Sequence, residues 1–205
     1  RLDEQYGLGS LVGNSRQMVR LYTRVRETAP THDPVLIVGE PGAGKDLIAQ
    51  ALHNNSLRRD EAFVKLRCQG SAPAPLDRAL FGGAEAGPGR IELADKGTLY
   101  LDGVSGLAHE QQRAVAVLIE RGRTRRIGSP RAIGVDVRVV ASSETPLAAA
   151  GLAPELAALL ENTAIEVPPL RDRVEDIPLL VEHFLREAAR EEGLPVTGTT
   201  RHALD

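Results

Sequence analysis

The chain has 205 residues, enough for one medium domain and part of a second. Hydrophobic residues make up 42% and charged residues 26%, as in an ordinary soluble globular protein. A formal net charge of −3 excludes a global basic field that would hold the chain on nucleic acid or on a membrane.

Met18, Leu21, Tyr22 and Val25 recur at helical spacing, with Asn14 or Ser15 as a cap, and predict a helix over 15–25. Asp33-Pro34 breaks the chain, and the unbroken apolar run 35–38 fits a parallel strand covered on both faces. A helix over 45–57 turns Ile48, Ala51 and Leu52 inward. A second strand is expected at 63–68, a short helix at 76–81 and a flexible glycine-rich turn at 82–89. A third strand spans 98–101 and a helix 109–121. A hairpin-like connection leads to a fourth strand at 135–141, followed by a short helix at 154–161 and a short strand at 165–167. Pro168-Pro169 marks a boundary. Beyond it Ile177, Leu180, Val181, Phe184, Leu185 and Ala188 share one helical face.

Strands alternating with helices predict an α/β fold with a parallel sheet. Such sheets bind nucleotides outside the carboxyl ends of their strands. Residues 1–170 are read as this domain, and 171–205 as the start of a helical second unit with too few residues to close its own core.

Two strand ends carry chemistry. After the first strand stand Gly39, Glu40, Pro41, Gly42, Ala43, Gly44, Lys45 and Asp46, the spacing of a phosphate-binding loop. Glycines let successive backbone N–H groups turn toward a phosphate, and the following helix adds its positive end. Lys45 is expected to reach the outer phosphates of ATP or ADP. The general pattern wants Ser or Thr after the lysine to hold magnesium, and Asp46 stands there instead. After the third strand Asp102 fits a magnesium-binding acid. Gly103 follows, where a general base would be needed to activate water, and glycine cannot serve. ATP hydrolysis is therefore not expected.

The remaining signals are bland. Aromatic residues are 3% of the chain and Trp is absent, against a base-stacking platform. The basic run Arg121-Gly122-Arg123-Thr124-Arg125-Arg126 reads as a solvated surface turn. Cys68 is alone, which fits a reducing cytoplasm, and reads as a packed small hydrophobe. No apolar run approaches the ~20 residues of a membrane helix, and no signal peptide is recognised.

GEPGAGKD, ALFG, RIELADKGTLYLD, DVRVVAS and VPPLRDRVEDIPLLVEHFL, in that order, resemble the central AAA+ domain of sigma-54-dependent transcriptional activators. The resemblance covers about residues 9–205. The GKD form of the loop is also similar to the aromatic-amino-acid regulator subgroup, which acts on sigma-70 promoters. It implies a P-loop AAA+ sheet flanked by helices, a small helical lid, and assembly into dimers or rings. RNA polymerase or another regulator is the implied partner, with DNA reached only through a flanking domain.

The departures from the family pattern are as telling. The family's GAFTGA loop, which grips sigma-54, has no counterpart in the short turn after Gly82. The Walker B Glu falls on Gly103, its switch Asn on Arg67 and the sensor Asn on Glu144. The stretch that supplies arginine fingers corresponds to 152–160, which contains no Arg. The LFRS segment through which some members bind cyclic di-GMP reads Gly7-Leu8-Gly9-Ser10. The second sensor Arg would lie beyond Asp205. The resemblance therefore implies a degenerate member that binds nucleotide and does not remodel sigma-54. A compensated active ATPase, a scaffold that binds no nucleotide and a cyclic di-GMP receptor are the alternatives.

Overall fold

A computed structural model of the chain describes residues 11–193. Its first half runs α1 (Arg16–Thr28), β1 (Val35–Val38), α2 (Lys45–Asn54), β2 (Phe63–Arg67), α3 (Pro73–Phe81), β3 (Gly82–Gly83) and β4 (Gly87–Pro88). Then come α4 (Arg90–Leu93), β5 (Thr98–Asp102), α5 (His109–Arg121), β6 (Arg123–Arg125) and β7 (Ala132–Gly134). The chain closes with β8 (Arg138–Ser143), α6 (Pro154–Leu160), β9 (Ala164–Glu166) and α7 (Ile177–Glu192). The order β2-β5-β8-β1-β9 forms one sheet, parallel throughout.

The period of two along each strand divides the core into two layers. Val35 and Ile37 face α1 and α2, packing with Met18, Leu21, Ile48 and Leu52. Leu36 and Val38 face the other way, toward Leu80, Val115, Leu118 and Leu156. Covering on both faces is why β1 is apolar at every position. Ser15 caps α1, its Oγ accepting from the Met18 N–H at 3.3 Å. At the other end of α1, buried Arg138 donates to the carbonyls of Thr28 and Ala29 at 2.8 and 2.6 Å, a cation against a helix C-terminus.

The differences from the sequence-based expectations are local. The helix expected over 45–57 ends at Asn54, and Leu57 beyond it is exposed. The short helix begins at Pro73 rather than 76, because proline is well placed in a first helical turn. The strand expected at 135–141 is displaced to Arg138–Ser143, and the residues before it pair back on β6 as β7. The expected flexible turn 82–89 is a small hairpin of β3 and β4. Backbone bonds between Ala84 and Ile127 (3.0 Å) and between Ile127 and Gly82 (3.3 Å) tie it to the connection after β6. Cys68 is fully buried, and burial pushes its thiol up to about 12, so it packs as a small hydrophobe.

Two short 3-10 turns, Leu170–Asp172 and Val174–Asp176, lead from the sheet to α7. The expected helix forms, but none of its residues is buried, and Phe184 is largely exposed. Among the described residues no helix is long and apolar enough to cross a membrane. The segment 7–10 and the end of the expected lid, 194–205, lie outside the described residues.

Candidate nucleotide site

The loop from Gly39 to Gly44 joins β1 to α2 at the carboxyl edge of the sheet. Gly42 and Gly44 hold φ at 76° and 99°, in the left-handed region that glycine enters without penalty. A Cβ at either would meet nothing within 4 Å, so conformation and not crowding demands glycine there. Lys45 opens α2 and turns back over the loop, donating to the carbonyls of Gly39 (2.7 Å) and Glu40 (2.9 Å).

The loop separates two clefts. One, of about 390 Å³, is apolar and is lined by Leu47, Ile48, Val167, Leu180 and Phe184, with α7 as one wall. The other, of about 310 Å³, is polar and is lined by Lys45, Asp46, Arg67, Gln69, Asp102 and Glu144. Pro41, Gly42 and Gly44 line both. The polar cleft brings together five positions singled out in the sequence: Lys45, Asp46, Arg67, Asp102 and Glu144. Parallel register does this, since Arg67 lies opposite Asp102 at neighbouring strand ends.

Gly103 follows Asp102 with φ at 75°, and its N–H donates to Ser142 Oγ at 2.9 Å. The same hydroxyl lies 3.2 Å from Asp102 Oδ1. A Cβ on Gly103 would stand 2.7 Å from Gln69 Cγ.

Sequence reasoning missed the groups that surround these acids. Lys65, from β2, forms an ion pair with Asp46 and lies 3.2 Å from Asp102 Oδ2. Tyr100 donates its hydroxyl to Asp46 Oδ1 at 2.9 Å. Burial pushes the Asp46 carboxyl up, but the hydrogen bonds of Lys65 and Tyr100 outweigh it and hold the group below the usual Asp value. The signal for Lys65 was its phase: it shares a strand face with Phe63, which packs against the α1–α2 layer. Beside the apolar cleft, Arg171 pairs with Glu40 at 2.7 Å and holds its carboxyl below the usual range. Arg173, only 8% exposed, donates to the Ala43 carbonyl at 3.3 Å, and its Nε finds no acceptor.

A glycine loop after the first strand of a parallel sheet, with an acid ending β5, one strand removed across β8, defines a P-loop NTPase-type domain. A model of the Sigma-54 interaction domain matches residues 11–159, and the chain belongs to that family. ZraR, a transcriptional regulatory protein of Salmonella typhimurium, is 38% identical over 98% of this chain and 48% of its own length. A Nif-specific regulatory protein of Herbaspirillum seropedicae is 37% identical over 91% of this chain and 37% of its own. The chain thus spans less than half the length of these relatives. The crystal structure of NtrX from Brucella abortus in complex with ATP superposes with a TM-score of 0.87 at 33% identity, covering 95% of this chain and 46% of that one. NtrX was also solved with ADP, at the same TM-score and identity.

Proposed function

We propose that this chain is the nucleotide-binding module of a transcriptional regulator, holding ATP or ADP without hydrolysing it and serving in ligand sensing and assembly. One observation carries the reading: a single loop presents an apolar cleft on one side and a polar cleft, with Lys45 and Arg67 in its wall, on the other. A base fits the first, a polyphosphate the second, and the loop and the start of α2 supply N–H donors between them. The relative NtrX, solved with ATP and with ADP, supports the same ligands here. The nucleotide-binding set is Gly39, Glu40, Pro41, Gly42, Ala43, Gly44, Lys45 and Asp46. Residues up to 170 form the nucleotide domain and those from 171 open the lid.

Absence of turnover is argued from the parts. Gly103 offers no base, Arg67 and Glu144 replace the family's two Asn residues beside the polar cleft, and 152–160 lacks arginine. Arginine fingers alone contribute roughly 10³–10⁵ in rate in related nucleotidases. The expected magnesium at Asp102 does not fit the residues present, because Lys65 and Ser142 already occupy that carboxylate. The hairpin of β3 and β4 replaces the sigma-54-gripping loop, so RNA polymerase or another regulator is the favoured partner. Self-association and DNA contact through a flanking domain complete the proposal.

Calorimetric titration of ATP and ADP into wild type and Lys45→Ala tests the reading. Binding by wild type and its loss in a folded Lys45→Ala support it. Equal affinities place the ligand elsewhere, and no binding by wild type leaves the loop a scaffold. The scaffold reading has its own support, since Lys45 is already satisfied by two loop carbonyls.

A further inference from the structure

We propose that the Lys65 ammonium stands in for a divalent cation between Asp46 and Asp102, so that this chain binds nucleotide independently of magnesium. The inference rests on the nucleotide reading above and adds to it the form in which the ligand is taken.

Two carboxylates beside a polyphosphate need positive charge between them. In nucleotidases of this architecture a magnesium ion supplies it, held by one or two protein oxygens and by the phosphates. Here all four carboxylate oxygens already have partners. Asp46 Oδ2 pairs with Lys65 Nζ, and Asp46 Oδ1 accepts from the Tyr100 hydroxyl at 2.9 Å. Asp102 Oδ2 lies 3.2 Å from the same Nζ, and Asp102 Oδ1 accepts from Ser142 Oγ at 3.2 Å. One ammonium thus bridges the acid that follows the loop lysine and the acid that ends β5.

The bridge is built into the sheet. Lys65 lies opposite Tyr100 in the β2–β5 register, and its Nζ passes 5.5 Å from that ring's centroid on the way to the acids. A lysine ammonium with two carboxylates in contact is cationic throughout the physiological range. A divalent ion approaching the same oxygens would meet that charge at contact distance and would have to displace it. Tethering also makes the cation part of the fold, at an occupancy that free magnesium does not set.

The loop position itself matches this reading. A Ser or Thr after the lysine offers a neutral ligand to a metal, whereas Asp46 is an anion suited to a fixed ammonium. The α2 N-terminus further favours a carboxylate at this second helical position.

The test is calorimetric titration of ADP into the full chain, once with excess magnesium and once with EDTA, for wild type and Lys65→Met. Wild-type affinity is expected to differ by less than about threefold between the two conditions, well under the tenfold step of 1.4 kcal/mol. Lys65→Met, with two carboxylates no longer neutralised, is expected to lose about tenfold or more in EDTA and to recover in magnesium. A tenfold loss by wild type in EDTA overturns the proposal, as does a folded Lys65→Met that stays indifferent to metal. Should Lys65→Met fail to fold, the wild-type pair of titrations decides alone. Wild type that binds only with magnesium overturns this inference and leaves the nucleotide reading standing. Wild type that binds in neither condition removes both.

Discussion

Asp176 accepts hydrogen bonds from both the backbone N–H of Ser15 (2.8 Å) and its side-chain hydroxyl (2.6 Å), across 161 residues of sequence. It also accepts from the Asn14 N–H at 2.7 Å, and it is fully buried. Asp176 lies just before α7 and Ser15 caps α1, so one carboxylate ties the wall of the apolar cleft to the helix under the sheet. Asp176→Ala leaves both donors of buried Ser15 without this acceptor, at roughly 1–3 kcal/mol each when fully unsatisfied. A stability loss of about 2 kcal/mol or more is expected in urea unfolding; a change below about 0.5 kcal/mol, the scale of surface substitutions, contradicts it.

Gly103→Glu is expected to restore no ATP turnover. The new side chain must adopt a left-handed backbone and push Gln69 aside, which together costs on the order of 1 kcal/mol or more. The other catalytic parts stay absent, and parts that act as a unit gain little when one is repaired. Phosphate release at the blank is the predicted reading, even at protein concentrations that favour rings. Activity restored by this one change contradicts the assignments of Arg67, Glu144 and 152–160.

How far the site was legible follows from what is local in sequence. Gly39 to Lys45 and the apolar run before them form a continuous pattern, so the loop, its strand and its helix could be read directly. The parallel sheet followed because its buried strands carry no polar alternation, as in β1. The strand phase of Lys65 was legible but its pairing was not, because its partners lie 19 and 37 residues away on a helix and on the neighbouring strand, and only the packed fold brings them together. Asp176 and Ser15 are a more extreme case of the same kind. The hairpin of β3 and β4 was missed because its stabilising bonds come from Ile127, far along the chain, while its own glycines spell flexibility.

Cys68 is expected to resist thiol reagents in the native protein. Burial pushes its thiol up to about 12, and the charge of Asp102 adds to the shift, so the thiolate is negligible at neutral pH. Labelling should become fast only on unfolding in denaturant. Rapid native-state modification contradicts the packing described for this residue.

His53 is buried, its Nδ1 2.9 Å from Thr98 Oγ1, and burial holds its pKa below the usual 6.5. The sign follows from linkage: a base whose folded pKa is depressed binds more protons unfolded, so its stability is fully present above pH 6.5. That contribution falls as pH drops from 6.5 through the folded pKa. Ring resonances followed by NMR should titrate below 6.5 for His53, with urea midpoints decreasing over the same range. A His53 pKa above 6.5 contradicts the prediction.

The protein is expected not to capture sigma-54 in a pull-down with a transition-state mimic of ATP hydrolysis. The motivating feature is the closed hairpin of β3 and β4, held against Ile127 where the gripping loop would emerge. Saturable, stoichiometric capture contradicts it.

The central claim, that the loop holds nucleotide without spending it, is tested most directly by a single-turnover measurement. Protein in excess is mixed with radiolabelled ATP, and the bound fraction and the fraction converted to ADP are read from the same sample. The account predicts that ATP is bound and is recovered as ATP, with conversion no faster than in buffer. Conversion of bound ATP at a rate clearly above the blank, or ATP left wholly unbound, contradicts it.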